Sequence, residues 1–155
     1  MATILVMNGP CEGRWFPVPI DRPLVVGRDR SLLATLPDVK TSRHHLEVRF
    51  MPYENGYVVA DKASRNGVFV NGHRISHYKT LAEEDRIRLG YTVLIFTEHD
   101  FEDQGESRQF LRKALSRHQD DLQRIKQEQA TRSAKPEQPA SRFNIGRLLG
   151  WGRPE

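Results

Sequence analysis

The chain has 155 residues, room for one domain of ordinary size plus an appendage, with 37% hydrophobic residues and a single cysteine, Cys11. Its mean hydropathy of −0.63 is low for a chain packed throughout, and one thiol excludes a disulfide framework. Net charge is +4, split as +1 over residues 1–100 (13 cations, 12 anions) and +3 over residues 101–155 (11 and 8); signs so interspersed indicate a solvated surface, not the concentrated basic stripe of a nucleic-acid binder.

The first hundred residues read as β structure. Short apolar runs fall at 2–7, 14–18 and 24–27. Residues 45–50 alternate, with Leu46, Val48 and Phe50 on one face and Glu47 and Arg49 on the other, the period of a half-buried strand. Runs at 57–60, 68–70, 73–75, 86–89 and 93–97 follow, with Ile87 and Leu89 alternating against Arg86 and Arg88. Glu54-Asn55-Gly56 and Asn71-Gly72 are hairpin signals, because Asn and Gly tolerate positive φ, and Gly90-Tyr91 reads as a further turn. Nine such runs with close turn punctuation predict an all-β sandwich over residues 1–100, of about ten or eleven short strands in all. Cys11, with no activating base nearby, reads as a small buried residue.

The character changes after residue 100. Asp103 and Glu106 fit a capping box, and one long helix of about 40 Å is expected over residues 104–129. Leu111, Leu115, His118, Leu122 and Ile125 form a heptad-like stripe. It reads either as a helix packed on the domain or as a seam for self-association through residues 104–129. Residues 130–155 read as a flexible tail, Pro-containing at first and ending in a short apolar-basic segment from Phe143 to Trp151. Thr131, beside Arg132 in this linker, is a candidate phosphorylation site able to fold back on the domain. No apolar run approaches the roughly 20 residues of a membrane span, and the N-terminus lacks the basic region of a signal peptide. A cytoplasmic protein is expected.

The residues that carry chemistry are ordered polar clusters between the apolar runs. Gly27-Arg28 ends one run, where a glycine lets the backbone bend and aim a planar guanidinium suited to phosphate or carbonyl groups. Ser42-Arg43 sets a hydroxyl and a guanidinium together on the approach to the alternating strand. Asn66-Gly67 offers a carboxamide, donor and acceptor, to an extended peptide backbone. Loops at the end of a sandwich can bring such distant residues together. Nothing in the set pairs a nucleophile with a base, clusters metal ligands or forms a P-loop, so neither an enzyme nor a cofactor is expected.

In order and spacing, Gly27-Arg28, then Ser42-Arg43-His44-His45, then Asp61 and Ser64 leading to Asn66-Gly67, then Asn71-Gly72, the chain resembles the forkhead-associated (FHA) domain, a phosphothreonine-peptide-binding module. The resemblance covers roughly residues 3–98. It implies that Ser42 donates to the phosphate and that Arg43 is a second phosphate ligand. Arg28 would orient the site, Asn66 would grip the peptide main chain, and Arg65 would line the pocket. His45 would tie loops together, and Gly27, Gly67, Asn71 and Gly72 would shape turns. Two departures stand out: Arg65 stands where threonine or serine is frequent in the family, and Val68 where threonine is frequent. They leave the choice between phosphothreonine and phosphoserine open. The implied function is a phospho-dependent adaptor whose partner is a phosphothreonine protein made by a Ser/Thr kinase. The alternative is a scaffold that uses the same sandwich without reading phosphate. Nucleic-acid binding through the basic tail ranks third.

Overall fold

The computed structural model describes residues 1–133; the remainder of the predicted tail, with its apolar-basic end, lies outside the described residues. Eleven strands are present among them: β1 (Ala2–Val6), β2 (Trp15–Val18), β3 (Leu24–Gly27), β4 (Ala34–Thr35), β5 (Leu46–Met51), β6 (Gly56–Asp61), β7 (Phe69–Val70), β8 (His73–Arg74), β9 (Tyr78–Thr80), β10 (Arg86–Leu89) and β11 (Thr92–Thr97). Two helices follow, α1 (Gln104–Arg117) and α2 (Gln119–Ser133). The strands form two sheets, β2-β1-β11-β10-β7-β8 and β4-β3-β5-β6-β9. All pairings are antiparallel except the two-residue contact between β3 and β4.

Strand patterns follow from what covers each face. β5 keeps Leu46 and Val48 buried and Arg49 exposed, as its alternation predicts for a sheet with one wet face. In β1 and β11 every residue is buried. Ile4, Val6, Leu94 and Phe96 fill the core between the sheets. Leu5, Met7, Val93 and Ile95 point the other way, into a second apolar cluster with Phe101, Leu111, Ala114 and Ile125. Covering both faces turns an alternating pattern into a continuous apolar run. Cys11 is buried against the first core.

The turns show their reasons. Asn71 (φ 50°) and Gly72 (φ 84°) are both left-handed, the two-residue geometry that matches strand twist, and Val70 pairs with His73 across them. Asn55, also left-handed, ends a single 3₁₀ turn at Pro52–Glu54 before β6.

One long helix was expected, and the chain breaks it in two at His118. There the backbone leaves helical geometry while its N–H still bonds to Ala114 and Leu115 carbonyls. A straight helix of this length would run about 40 Å, far beyond strands of five or six residues at about 3.3 Å each. Breaking at His118 lets both Leu111 of α1 and Ile125 of α2 be buried against the same sheet. Glu84, in the turn before β10, holds the junction through Arg117 (2.6 Å) and His118 (3.7 Å). The apolar stripe therefore lies against the domain's own sheet: Leu115 and Leu122 are partly buried there as well. α2 also runs to Ser133, so Thr131 sits on a helix rather than in a linker. At the start of α1, the Asp103 carboxylate accepts from the N–H groups of Gly105 and Glu106. The reciprocal bond is shifted by one residue from the usual box: Glu106 accepts from the Glu102 N–H at 3.0 Å.

Candidate functional site

The site is assembled on three loops at one rim of the sandwich. The end of β3 and the approach to β5 run side by side beyond the strands themselves. Arg28 N–H donates to the Ser42 carbonyl at 3.0 Å and Asp29 N–H to the Arg43 carbonyl at 3.1 Å. This closeness explains Gly27. A Cβ there would lie 2.0 Å from the Arg43 carbonyl oxygen, so no side chain fits without moving backbone.

Three side chains converge on the segment 40–42. The Arg28 Nε donates to the Thr41 carbonyl at 3.2 Å, which aims the guanidinium along this loop. The Ser42 hydroxyl accepts the Arg65 N–H at 3.1 Å, leaving its own proton to donate. The Asn66 Nδ2 donates to the Lys40 carbonyl at 2.7 Å, leaving its oxygen as an acceptor. Thus the guanidinium, the hydroxyl and the carboxamide singled out in the sequence share one stretch of backbone. Arg28, Arg43, Arg65 and Asn66 are exposed and Ser42 is half-buried.

His45 joins the loops from below. Its ring is fully buried. Nδ1 accepts the Ser42 N–H at 3.0 Å, so the proton resides on Nε2, which donates to the Gly67 carbonyl at 2.8 Å. Gly67 has φ 81°, and a Cβ there would press on the Arg74 guanidinium at 2.7 Å. The loop between them is closed by Ser64, whose hydroxyl accepts the Gly67 N–H and whose own N–H donates to Asp61. Asn71 and Gly72 lie in the next hairpin. There the Asn71 carboxamide donates to Asp85 (2.8 Å) and accepts the Arg86 N–H (3.0 Å), fixing the hairpin to β10. Val68 is fully buried in the core between the sheets, so the departure at that position does not face the rim.

Two carboxylates tune the surroundings. The Ser31 N–H and hydroxyl, both at 2.9 Å, hold the Asp29 carboxyl below its usual range, with His44 and Arg43 adding to the effect against slight burial. Asp29 therefore stays anionic beside His44 and Arg43. Asp38 was not singled out in the sequence. Its carboxylate accepts from Lys40 N–H, Tyr91 N–H and the Thr92 hydroxyl, each at 2.8 Å, and so anchors the 36–45 loop to the β10–β11 turn. Partners more than 50 residues away leave no local signal for such a role.

Also missed was a cavity of about 610 Å³ beside Asn66. Lys40 and Asn66 form one wall; Arg124, Glu128 and Thr131 of α2 form the opposite one. Arg88 lies on its floor, 4.3 Å above the Phe69 ring and 3.7 Å from Glu128. Among the described residues no group of three His, Cys, Asp or Glu side chains is placed to hold a metal ion, and no helix is long and apolar enough to cross a membrane.

The two-sheet sandwich gathers cationic and polar groups on one loop rim. The chain belongs to the FHA domain family, whose model matches residues 24–90. FHA domains are phosphothreonine-dependent protein-interaction modules rather than enzymes. An FHA domain solved in a study of phosphothreonine-dependent FHA domain interactions is 30% identical over 64% of this chain and 98% of its own, with a TM-score of 0.56. The FHA domain of Mycobacterium tuberculosis FhaA, solved in complex with the intracellular domain of a partner protein, is 30% identical over 62% of this chain and 99% of its own, with a TM-score of 0.54. The mouse angiogenic factor with G patch and FHA domains 1 is 33% identical over 106 residues, 62% of this chain. The chain spans only 15% of that relative's length.

Proposed function

We propose that this chain is an adaptor that binds a phosphothreonine-containing segment of a partner protein, the product of a Ser/Thr kinase. The observation that carries the reading is the convergence of Arg28, Ser42 and Asn66 on residues 40–42. A phosphothreonine brings about −1.5 to −2 charges and three strong acceptor oxygens. In this reading the Ser42 hydroxyl and the Arg28 guanidinium donate to those oxygens, with Arg43 and Arg65 adding charge from the rim. Asn66 takes the peptide main chain through the oxygen of its carboxamide. His45, Gly27, Gly67, Asn71 and Gly72 hold the loops and touch no ligand.

The test is titration calorimetry with matched phosphothreonine, phosphoserine and unphosphorylated peptides. Hydrogen bonds to charged groups are worth about 1.5–3 kcal/mol, so Arg28→Ala should weaken phosphopeptide binding by roughly 10- to 150-fold at an unchanged fold. Equal binding of phosphorylated and unphosphorylated peptides would remove this reading.

A further inference from the structure

The wall opposite Asn66 belongs to the helical extension, beyond the residues that match the family. We infer that α2 is a specificity element: the cavity between Lys40 and Arg124 receives an acidic side chain flanking the phosphothreonine of the bound segment. This rests on the phosphothreonine reading and adds to it a residue that no sandwich loop supplies.

Position comes first. Asn66, assigned to the peptide main chain, is bonded to the Lys40 carbonyl at 2.7 Å, and both residues line the cavity. A segment lying along Asn66 therefore passes its mouth. The volume of about 610 Å³ falls within the range of about 300–1,000 Å³ typical of ligand sites, ample for one or two side chains.

Charge gives the chemistry. Three cations, Lys40, Arg88 and Arg124, face one carboxylate, Glu128. Glu128 is taken by Arg88, which is itself held over Phe69. Among the described residues neither Lys40 nor Arg124 pairs with a carboxylate. Two cations from opposite walls are thus left over, and an Asp or Glu side chain between them neutralises both. A basic side chain there is repelled, so the cavity discriminates by sign. Thr131, on the same wall, keeps its hydroxyl on the Gln127 carbonyl at 2.9 Å and leaves the space open.

The experiment uses the full 155-residue chain and labelled phosphothreonine peptides, read by fluorescence anisotropy. The peptides carry alanine on both flanks, with Asp, Ala or Lys scanned through the four positions on each side. One position should favour Asp over Ala by about fivefold, the upper end for a solvent-accessible ion pair, and the preference should shrink at high salt. Arg124→Glu should erase the Asp-over-Ala ratio, which is the readout whatever the charge reversal does to the absolute affinity for the phosphate-bearing segment; Arg124→Lys should keep it. An Asp preference unchanged in Arg124→Glu, or none at any position, overturns the role of α2 alone. Failure of every phosphothreonine peptide to bind would instead bring down the phosphothreonine reading, and this inference with it.

Discussion

Replacing His45 isolates how much of the rim depends on one buried ring. The imidazole accepts from the Ser42 N–H and donates to the Gly67 carbonyl, and it is fully enclosed. His45→Phe keeps an aromatic ring in the space but leaves both backbone groups without their partner. Each orphaned buried group costs about 1–3 kcal/mol, so this variant should lose about 2–6 kcal/mol. His45→Ala loses the same bonds and adds a cavity, for which about 1–2 kcal/mol more is reasonable. Against a total stability of about 5–15 kcal/mol for a domain, either change is severe. Urea unfolding followed by tryptophan fluorescence gives the difference in midpoint, and peptide titration on the folded fraction reports the site. Ser42 and Gly67 lie on the two loops the ring joins, so affinity should fall even where folding persists. A His45→Phe protein within about 0.5 kcal/mol of the parent, the range of an inconsequential surface change, would refute the assignment of His45 as the tie between the loops.

Gly27→Ala should be disproportionately damaging for a single methyl group. Its Cβ would sit 2.0 Å from a backbone oxygen that has no rotamer to escape into, so a loss at or beyond the roughly 1–3 kcal/mol of overpacking is expected, seen as a lower urea midpoint together with lost peptide binding. Glu106 makes a pH prediction. The Glu102 N–H and then the His99 ring hold its folded carboxyl below the value of 4.5 that an unperturbed group has. The folded state therefore binds fewer protons than the unfolded one between the lowered value and 4.5, and stability rises with pH through that window. The contribution is complete above 4.5 and is lost as pH falls through the folded value. Glu106→Gln should melt below the parent at neutral pH, and the two melting curves should converge in acid; a constant gap across that range would contradict the assignment.

What could be read from the residues alone depended on whether the cause was local. β5 and β10 alternate because one face meets the core and the other carries polar side chains, toward water in β5 and beneath α2 in β10, so Leu46 and Val48, or Ile87 and Leu89, declare themselves. The Asn71-Gly72 turn is equally local, since both residues must take positive φ. β4 and β9 were not anticipated. The first is two residues held by a parallel contact with β3, and the second is an exposed edge strand, Tyr78–Thr80, with no alternation to mark it. The break at His118 carries no Gly or Pro; it is set by the extent of the sheet beneath it and by Glu84. The order of the polar clusters named the candidate rim residues, because each cluster ends a strand and the sandwich brings strand ends together. Lys40, Asp38 and the cavity shared with Arg124 were invisible for the opposite reason: their partners are chosen by tertiary packing alone.

The helical pair changes how the extension can be tested. Deleting residues 104–155 would look like a clean way to separate a phosphate-reading adaptor from a scaffold held by its extension. The second cluster argues against its cleanliness. Without α1 and α2, Leu5, Met7, Val93 and Ile95 lose the cover of Leu111, Ala114 and Ile125 and face water. At about 1.5–3 kcal/mol for each large apolar side chain, the exposure of these four amounts to roughly 6–12 kcal/mol as an upper bound. That is comparable to the whole stability of a domain, so residues 1–103 should be insoluble or melt far below the full chain, and lost peptide binding would then report unfolding. A truncated protein with an unchanged urea midpoint would show that the helices are dispensable to the sandwich. Short of that result, the extension is part of the folding unit, and its contribution to recognition has to be measured by point changes on its exposed face, of which Arg124 is the most direct.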